Sequence, residues 1–327
     1  MKWLRFLLSI ACAASLLAGT AAAQETVIQF GHVGNPGSLF ALSAEEFAAR
    51  ANERLAGRAR VEVFGSSQLG TDEQLMQRLR LGTVDIALPS TVMSTVADEF
   101  GLFEMPYLVR DREHMKRIEE AVVWPVLAPA AEAQGYKIIA VWENGFRHIT
   151  NNVRPIITPD DLRGVKLRTP SGEWRVRMFQ AYGANPSPMA FSELFVALQT
   201  GVMDGQENPF TQIHSARLQE VQRYLSLSGH VYTPAYVTVG ARSWANLPAE
   251  VREVLEEVAR EVQDFVYETA AEMDTALLEE LRADLEVNEV DTDAFIEASQ
   301  SVYETFGREV SGGTELIERA LELGQDQ

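Results

Sequence analysis

The sequence is nearly free of thiols, since Cys12 is the only cysteine among its 327 residues. Cys12 lies in an N-terminal segment that we expect to be removed, so the mature chain can form neither a disulfide nor a thiolate metal site or nucleophile. Basic residues are also scarce, with 28 Lys and Arg against 47 Asp and Glu and a formal net charge of −19. A surface this acidic repels phosphate backbones and anionic lipid headgroups, which argues against nucleic-acid binding.

The usual signatures of enzymes are missing as well. There is no Gly-x-Gly-x-x-Gly after a strand, no phosphate-loop lysine, no His-Glu-x-x-His and no Gly-x-Ser-x-Gly. The five histidines are scattered without ligand spacing, and only His32 and His230 remain candidates for a binding site. We therefore expect no catalytic residues, no metal site and no cofactor.

Long apolar runs are absent beyond the N-terminus, where residues 1–23 form a separate segment. Lys2 and Arg5 precede a short apolar run over 6–17, and small residues occupy 21–23. This pattern predicts a secretory signal peptide cleaved after Ala23, because the run is too short to span a membrane. Removing it leaves 26 basic and 47 acidic residues, a net charge of −21. The expected location is a bacterial periplasm.

Strands and helices are predicted to alternate in the N-terminal half, which is typical of parallel βαβ units. The pattern restarts after about residue 146 with strands at 147–150 and 164–169. The earlier predicted strands are 26–31, 61–64, 84–88 and 136–142, and the predicted helices are 40–55, 72–81, 113–133, 172–182 and 192–199, with a later strand at 232–239.

One very long helix is predicted in the C-terminal third. Pro248 marks its start, an apolar stripe begins at Val251, and neither Gly nor Pro interrupts the pattern before Leu285. A helix of that length exceeds the diameter of a small domain. The sequence therefore predicts an α/β fold of two lobes, a clamshell with a cleft, with several strands crossing between the lobes and one helix spanning both. The expected lobes are 24–145 plus about 234–273, and 146–233 plus about 274–327.

Two arginines have settings that suit an anion site. Arg168 ends a short strand before a Pro-Ser-Gly turn, and Arg147 ends an aromatic segment. Ligands of α/β lobes bind beyond the carboxyl ends of strands, and a guanidinium matches a carboxylate with two parallel hydrogen bonds. The alternative is that nearby carboxylates at Asp160, Asp161 and Glu173 pair with both arginines. The residues alone leave the two interpretations even.

Five motifs stand out along the chain. They are Ser-Ser-Gln-Leu-Gly at 66–70, Met-Pro-Tyr at 105–107, Asp-Leu-Arg-Gly-Val-Lys-Leu-Arg-Thr-Pro at 161–170, Pro-Met-Ala-Phe-Ser-Glu at 188–193, and Ala-Leu-Gln-Thr-Gly-Val-Met-Asp-Gly-Gln-Glu-Asn-Pro at 197–209. Through these motifs the sequence resembles a known family, the solute-binding proteins of tripartite ATP-independent periplasmic (TRAP) transporters, also called the dicarboxylate-binding-protein family. The similarity covers essentially the whole mature chain, and it implies a two-lobed periplasmic-binding-protein clamshell with hinge strands and a long helix spanning both lobes.

The resemblance implies roles for particular residues. It places the family's carboxylate-binding arginine at Arg168 and its second cleft arginine at Arg147. Solute choice is expected at Trp174 and Glu173. For Trp174 the two alternatives are stacking on a ring of the solute and packing between the lobes. The remaining candidate solute-binding residues are Asn208, Glu207, Phe191, His230, Ser90 and His32.

The expected function is therefore capture of a small organic acid, either a C4-dicarboxylate or a sugar acid such as a uronate. The expected partners are that acid and the small and large membrane subunits of a TRAP permease, and the receptor is expected to be a monomer. An extracytoplasmic enzyme and a sensor module that use the same cleft are the alternatives. Turnover of a carboxylate would favour the enzyme, and a neighbouring sensor-kinase gene would favour the sensor module.

Overall fold

The computed structural model describes residues 26–325, so the predicted signal peptide and its cleavage site lie outside the described residues. The strands are β1 (Thr26–Gly31), β2 (Ala59–Phe64), β3 (Ile86–Ala87), β4 (Tyr136–Phe146), β5 (His148–Asn151), β6 (Lys166–Thr169), β7 (Asn185–Pro188), β8 (Gly205–Asn208), β9 (Tyr224–Leu227), β10 (Tyr232–Gly240) and β11 (Glu286–Glu289). The α-helices are α1 (Leu39–Leu55), α2 (Asp72–Leu81), α3 (Arg112–Ile118), α4 (Ala128–Ala133), α5 (Glu173–Ala181), α6 (Leu194–Gln199), α7 (Phe210–Ser215), α8 (Ala241–Asn246), α9 (Ala249–Asp284), α10 (Thr292–Glu309) and α11 (Gly313–Glu322).

The strands form two separate sheets, one in each lobe. The first has five strands in the order β2-β1-β3-β10-β4, and the second has six in the order β11-β9-β5-β8-β6-β7. In the first sheet β1 runs parallel to β2 and β3, whereas β10 runs antiparallel to β3 and β4. This arrangement confirms the predicted α/β class with two lobes.

Two of the chain's crossings between the sheets are short and lie side by side, and a third runs through α9 from β10 to β11. Only Arg147 separates β4 of the first sheet from β5 of the second, and residues 228–231 connect β9 back to β10. The two crossings are joined directly, because the Arg147 N–H donates to the Val231 carbonyl at 3.0 Å. The hinge strands therefore place Arg147 at the junction of the lobes. The exact lobe boundaries stay a prediction.

The long helix α9 is confirmed at 36 residues, about 54 Å at 1.5 Å per residue. Its buried residues between Val251 and Ala270 join the larger hydrophobic core, which includes Phe30 and Trp142. Further along, Leu277 and Leu281 join a smaller core with Leu194, Leu198, Phe210 and Ile213 of the second lobe. One helix therefore contributes to both cores, as its apolar stripe requires.

The predicted single helix over 113–133 is wrong in one respect. Residues Glu119–Leu127 form a π-helical segment between α3 and α4, with Pro125 inside it. Proline has no N–H to donate, and its ring displaces the carbonyl four residues before it. The wider turn accommodates the proline, and the Ala128 N–H bonds to Val123, five residues back.

Candidate functional site

A cleft lies between the lobes, next to the crossing strands. It encloses about 510 Å³ of empty space, part of it open to solvent, which is within the size range of small-molecule sites. The first lobe contributes Val33, Phe40, Asp72, Glu73, Ser90, Thr91, Val92 and Asn144 to its walls, and the second contributes Arg147, Arg168, Pro170, Ser171, Met189, Ala190, Phe191, Asn208 and Gln212.

Arg168 is held in this cleft by the backbone of the second sheet. It lies on β6 opposite Ser187 of the edge strand β7 and Gln206 of β8. Its Nε and Nη2 donate to the Met189 carbonyl at 2.9 and 2.6 Å. Pro170 follows the strand and cannot continue the ladder, so the chain turns away and leaves the guanidinium at the strand's carboxyl end.

Arg168 has no ion-pair partner in the part of the chain that the structure describes. Its side chain is 3% exposed, and none of the residues 26–325 offers it a carboxylate oxygen within 4.0 Å. Burial, and then the positive charge of Arg147, lower the pKa of Arg168 to about 10. A buried cation in this state gains from any anion that pairs with it, because an unpaired buried charge is costly.

Arg147 is a contrasting case, since its charge is already balanced. Its Nε donates to Glu207 Oε2 at 2.5 Å, and its Nη2 donates to Glu207 Oε1 at 2.9 Å and to Asn208 Oδ1 at 3.1 Å. Its partner is therefore Glu207 and not Asp160 or Asp161. Within residues 26–325, pairing with the local carboxylates Asp160, Asp161 or Glu173 is thus seen for neither arginine: Arg147 pairs with Glu207 and Arg168 with no carboxylate. The binding role of Arg168 stays a prediction.

Glu207 is the centre of a fully buried ionic network. Besides Arg147 it accepts from Arg175 Nη1 at 2.6 Å, and its Oε2 lies 3.2 Å from His230 Nε2. Burial opposes ionisation of Glu207, but the charges of Arg147 and Arg175 outweigh it and hold the pKa of Glu207 well below its usual range. Arg175 also bonds to Glu104 at 2.6 Å. The network thus links the second sheet to the 3₁₀ helix Asp98–Glu104 of the first lobe.

The other predicted residues fall into two groups. Asn208, Phe191 and Ser90 line the cleft with the two arginines. Ser90 Oγ donates to the Pro234 carbonyl at 2.7 Å and accepts from Asn144 Nδ2 at 3.2 Å, which fixes its orientation. Trp174, Glu207, His230 and His32 are buried beside the cleft and are absent from its lining.

Trp174 packs inside the protein. Its ring lies 5.0 Å from the Phe306 ring, and a Cβ added at Gly101 would come within 2.4 Å of its Cδ1. Gly101 belongs to the 3₁₀ helix of the first lobe, so this contact joins the lobes. The arrangement favours interlobe packing over stacking on a solute.

The two candidate histidines are both buried. His230 Nδ1 lies 2.8 Å from Ser228 Oγ, so its ring is held between that hydroxyl and Glu207. His32 is 2% exposed, and its Nδ1 has no hydrogen-bond partner within residues 26–325. Burial lowers the pKa of His32 to about 4. Both rings support the cleft walls from behind.

Sequence reasoning missed several residues of the lining, above all Asp72, Asn144 and Gln212. Asp72 is the first residue of α2, and Thr71 and Gln74 cap that helix reciprocally. An acidic residue in a capped first turn is ordinary helix chemistry, so nothing in the sequence indicated a binding role for Asp72. Asn144 and Gln212 lie outside the conspicuous motif residues and offered no signal either.

Metal chemistry finds no support in this part of the chain. Among residues 26–325 there is no group of three or more His, Cys, Asp or Glu side chains that could hold a metal ion. Nor does any helix in that range have the length and apolar character needed to cross a bilayer.

Two α/β lobes joined by crossing strands, with a cleft between them, define the class of two-lobed solute-binding proteins. A family model described as bacterial extracellular solute-binding protein, family 7 (DctP) matches residues 30–309, and the chain belongs to this family. The family is periplasmic and its members are transport receptors for small organic acids. The predicted family is thus confirmed.

Individual relatives differ in the acid that they bind. The 2,3-diketo-L-gulonate-binding periplasmic protein YiaO of Escherichia coli K12 is 30% identical over 99% of both chains. The sugar acid binding protein DctPAm of Advenella mimigardefordensis, solved with galactonate, is 31% identical with a TM-score of 0.88, over 92% of this chain and 98% of that one. A TRAP solute-binding protein of Sulfurospirillum deleyianum, solved with succinate, is 30% identical with a TM-score of 0.87, over 91% and 99%.

Proposed function

We propose that this protein is the solute receptor of a TRAP transporter and captures a small organic acid by pairing the acid's carboxylate with Arg168. The observation that carries the proposal is the state of Arg168, which is buried in the interlobe cleft and has no carboxylate partner among residues 26–325. The chain has a large excess of acidic residues and repels anions over most of its surface, so a cation in the cleft makes the cleft the place where an anion binds.

The guanidinium is also oriented for this task. Of its five N–H groups, the Met189 carbonyl takes one from Nε and one from Nη2. The Nη1 group and the second hydrogen of Nη2 remain, and they form the end-on edge that can donate to both oxygens of a carboxylate. Met189 therefore fixes the plane of the fork while leaving a bidentate edge free.

Binding is expected to be coupled to closure of the lobes. The two walls already touch, because Ser171 Oγ of the second lobe donates to Glu73 of the first. A solute that contacts both walls stabilises the closed arrangement by its differential affinity for it. The closed receptor, monomeric and periplasmic, would then deliver its acid to the small and large membrane subunits of the permease, with no bond made or broken.

Calorimetric titration of the mature protein tests the proposal. The ligands are galactonate, 2,3-diketo-L-gulonate and succinate, with the neutral polyol galactitol as the control for galactonate without its carboxylate. We expect one-site binding of at least one acid, unchanged chemically after long incubation, and no comparable binding of galactitol. Binding of the neutral polyol alone, or conversion of the acid, would contradict the proposal.

A further inference from the structure

One carboxylate in the cleft has no partner among the described residues. Asp72 lines the wall formed by the first lobe, and its side-chain oxygens make no hydrogen bond or ion pair with any other residue of 26–325. It differs in this from its neighbour Glu73, which accepts hydrogen bonds from Ser171 and Thr71. Asp72 is half-buried, so its oxygens are neither free in solvent nor satisfied by the fold.

We propose that Asp72 is a specificity-determining residue that accepts hydrogen bonds from solute hydroxyls, so that the cleft takes a hydroxylated monocarboxylate, a sugar acid, in preference to a dicarboxylate. This inference rests on the proposed function, in which Arg168 binds the first carboxylate. It assigns a role in solute recognition to the wall of the cleft that lies in the first lobe, opposite Arg168.

The charges of the lining support this preference. Its two cations are Arg147 and Arg168, and Glu207 already neutralises Arg147. One carboxylate of the solute therefore uses the single uncompensated positive charge. A second carboxylate would find no free cation among the described lining residues, and it would meet the negative charges of Asp72 and Glu73. Like charges brought together in a partly desolvated cleft repel strongly.

The hydrogen-bonding capacity of the lining points the same way. An ionised carboxylate accepts hydrogen bonds and donates none, and so does a dicarboxylate dianion. The hydroxyl groups of a sugar acid, by contrast, supply the donors that Asp72 lacks. Two further acceptors of lining residues, Asn144 Oδ1 and Gln212 Oε1, also have no partner within 26–325.

The electrostatic surroundings of Asp72 support the view that its carboxylate lacks hydrogen-bond donors. Burial, and then the negative charge of Glu73, raise the pKa of Asp72 to about 7, although Arg168 and Arg147 act in the opposite direction. A hydroxyl that donates to the ionised carboxylate would offset the lost hydration.

The test compares three ligands that differ in charge and in donors: galactonate, succinate and succinamate, the monoamide of succinate. Titrations at about pH 8 keep free carboxyl groups ionised. For the wild type we expect galactonate and succinamate each to bind at least about tenfold more tightly than succinate, since each replaces a repelled carboxylate by donors.

The variant Asp72→Asn removes the charge and keeps the shape. It should bind succinate about tenfold more tightly than the wild type does, and its preference for succinamate over succinate should shrink accordingly, with Glu73 the remaining negative charge. This gain in affinity requires a folded protein, so it cannot arise from damage to the fold. The control Asp98→Asn changes an exposed carboxylate at the start of the 3₁₀ helix outside the cleft, and all three affinities should stay unchanged.

The two proposals fail in different ways. If carboxylates bind but the wild type prefers succinate, or if Asp72→Asn leaves the ratios unchanged, the role of Asp72 is wrong and the proposed function stands. If none of the three ligands binds, the sugar-acid preference is wrong. If in addition no acid of the wider titration series binds, the proposed function fails too.

Discussion

At the scale of single residues, two arginines of the same cleft have opposite electrostatic roles. Arg147 is locked to Glu207, whereas Arg168 is held by a carbonyl and lacks a counter-ion within the described chain. The sequence could identify both residues as cleft candidates through their motifs. It could not distinguish them, because Glu207 lies 60 residues from Arg147 and reaches it only through the pairing of β5 with β8.

Arg168→Lys should therefore weaken binding of the acid by at least about tenfold, because lysine keeps the charge but loses the two-pronged edge. The measurement is the calorimetric dissociation constant. Arg308→Lys is the matched control, since Arg308 is exposed on α10 and its substitution should change the affinity little. Equal, small effects of the two substitutions would show that Arg168 is not the anchor.

The buried His32 ring leads to a prediction about how the stability of the protein depends on pH. The folded protein keeps this ring neutral, with a pKa of about 4, whereas an unfolded chain protonates it near 6.5. The unfolded state thus binds more protons between these values, so this contribution to stability is complete above pH 6.5 and is lost as the pH falls towards 4. The full effect approaches about 3 kcal/mol, at about 1.4 kcal/mol per pH unit.

Urea unfolding of His32→Gln at neutral and mildly acidic pH measures this contribution. The variant should lose less stability on acidification than the wild type, whatever its stability at neutral pH. Gln300→Asn is the control, because it exchanges one exposed amide for another and adds or removes no titrating group, so the pH dependence should stay unchanged. Identical pH dependence of wild type and His32→Gln would contradict the assignment.

At the scale of secondary-structure elements, long periodic segments were predicted well, whereas several short strands were missed. Helices α1, α2 and α9 agree with their apolar stripes to within one or two residues. The four-residue strands β7, β8, β9 and β11 were not predicted, because so few residues show no alternation. In β7 two of the four residues are proline, which an edge strand tolerates.

The contact of α5 with the 3₁₀ helix Asp98–Glu104 predicts the role of Trp174. Because its ring fills the space beside Gly101 and Phe306, Trp174→Phe should lower the free energy of unfolding by about 1–3 kcal/mol. The folded variant should keep its affinity for the acid within about threefold. A tenfold loss of affinity with unchanged stability would show instead that Trp174 stacks on the solute.

At the scale of the whole molecule, the two lobes meet through charges as well as apolar packing. The Glu104–Arg175–Glu207 network and the contact of Ser171 with Glu73 both join the first lobe to the second. The lobes are also joined by the short connections between the sheets and by α9, which contributes residues to both hydrophobic cores. Such a fold permits bending at the crossing strands while each lobe keeps its own sheet.

Small-angle scattering, applied to the wild type and Arg168→Lys with and without the acid, tests the central claim most directly, because it measures closure and its dependence on the anchor together. The radius of gyration of the wild type should fall when the acid is added, since the acid stabilises the closed arrangement. At the same acid concentration Arg168→Lys should show little or no compaction. An unchanged radius in the wild type, or equal compaction in the variant, would contradict a clamshell that closes on a carboxylate held by Arg168.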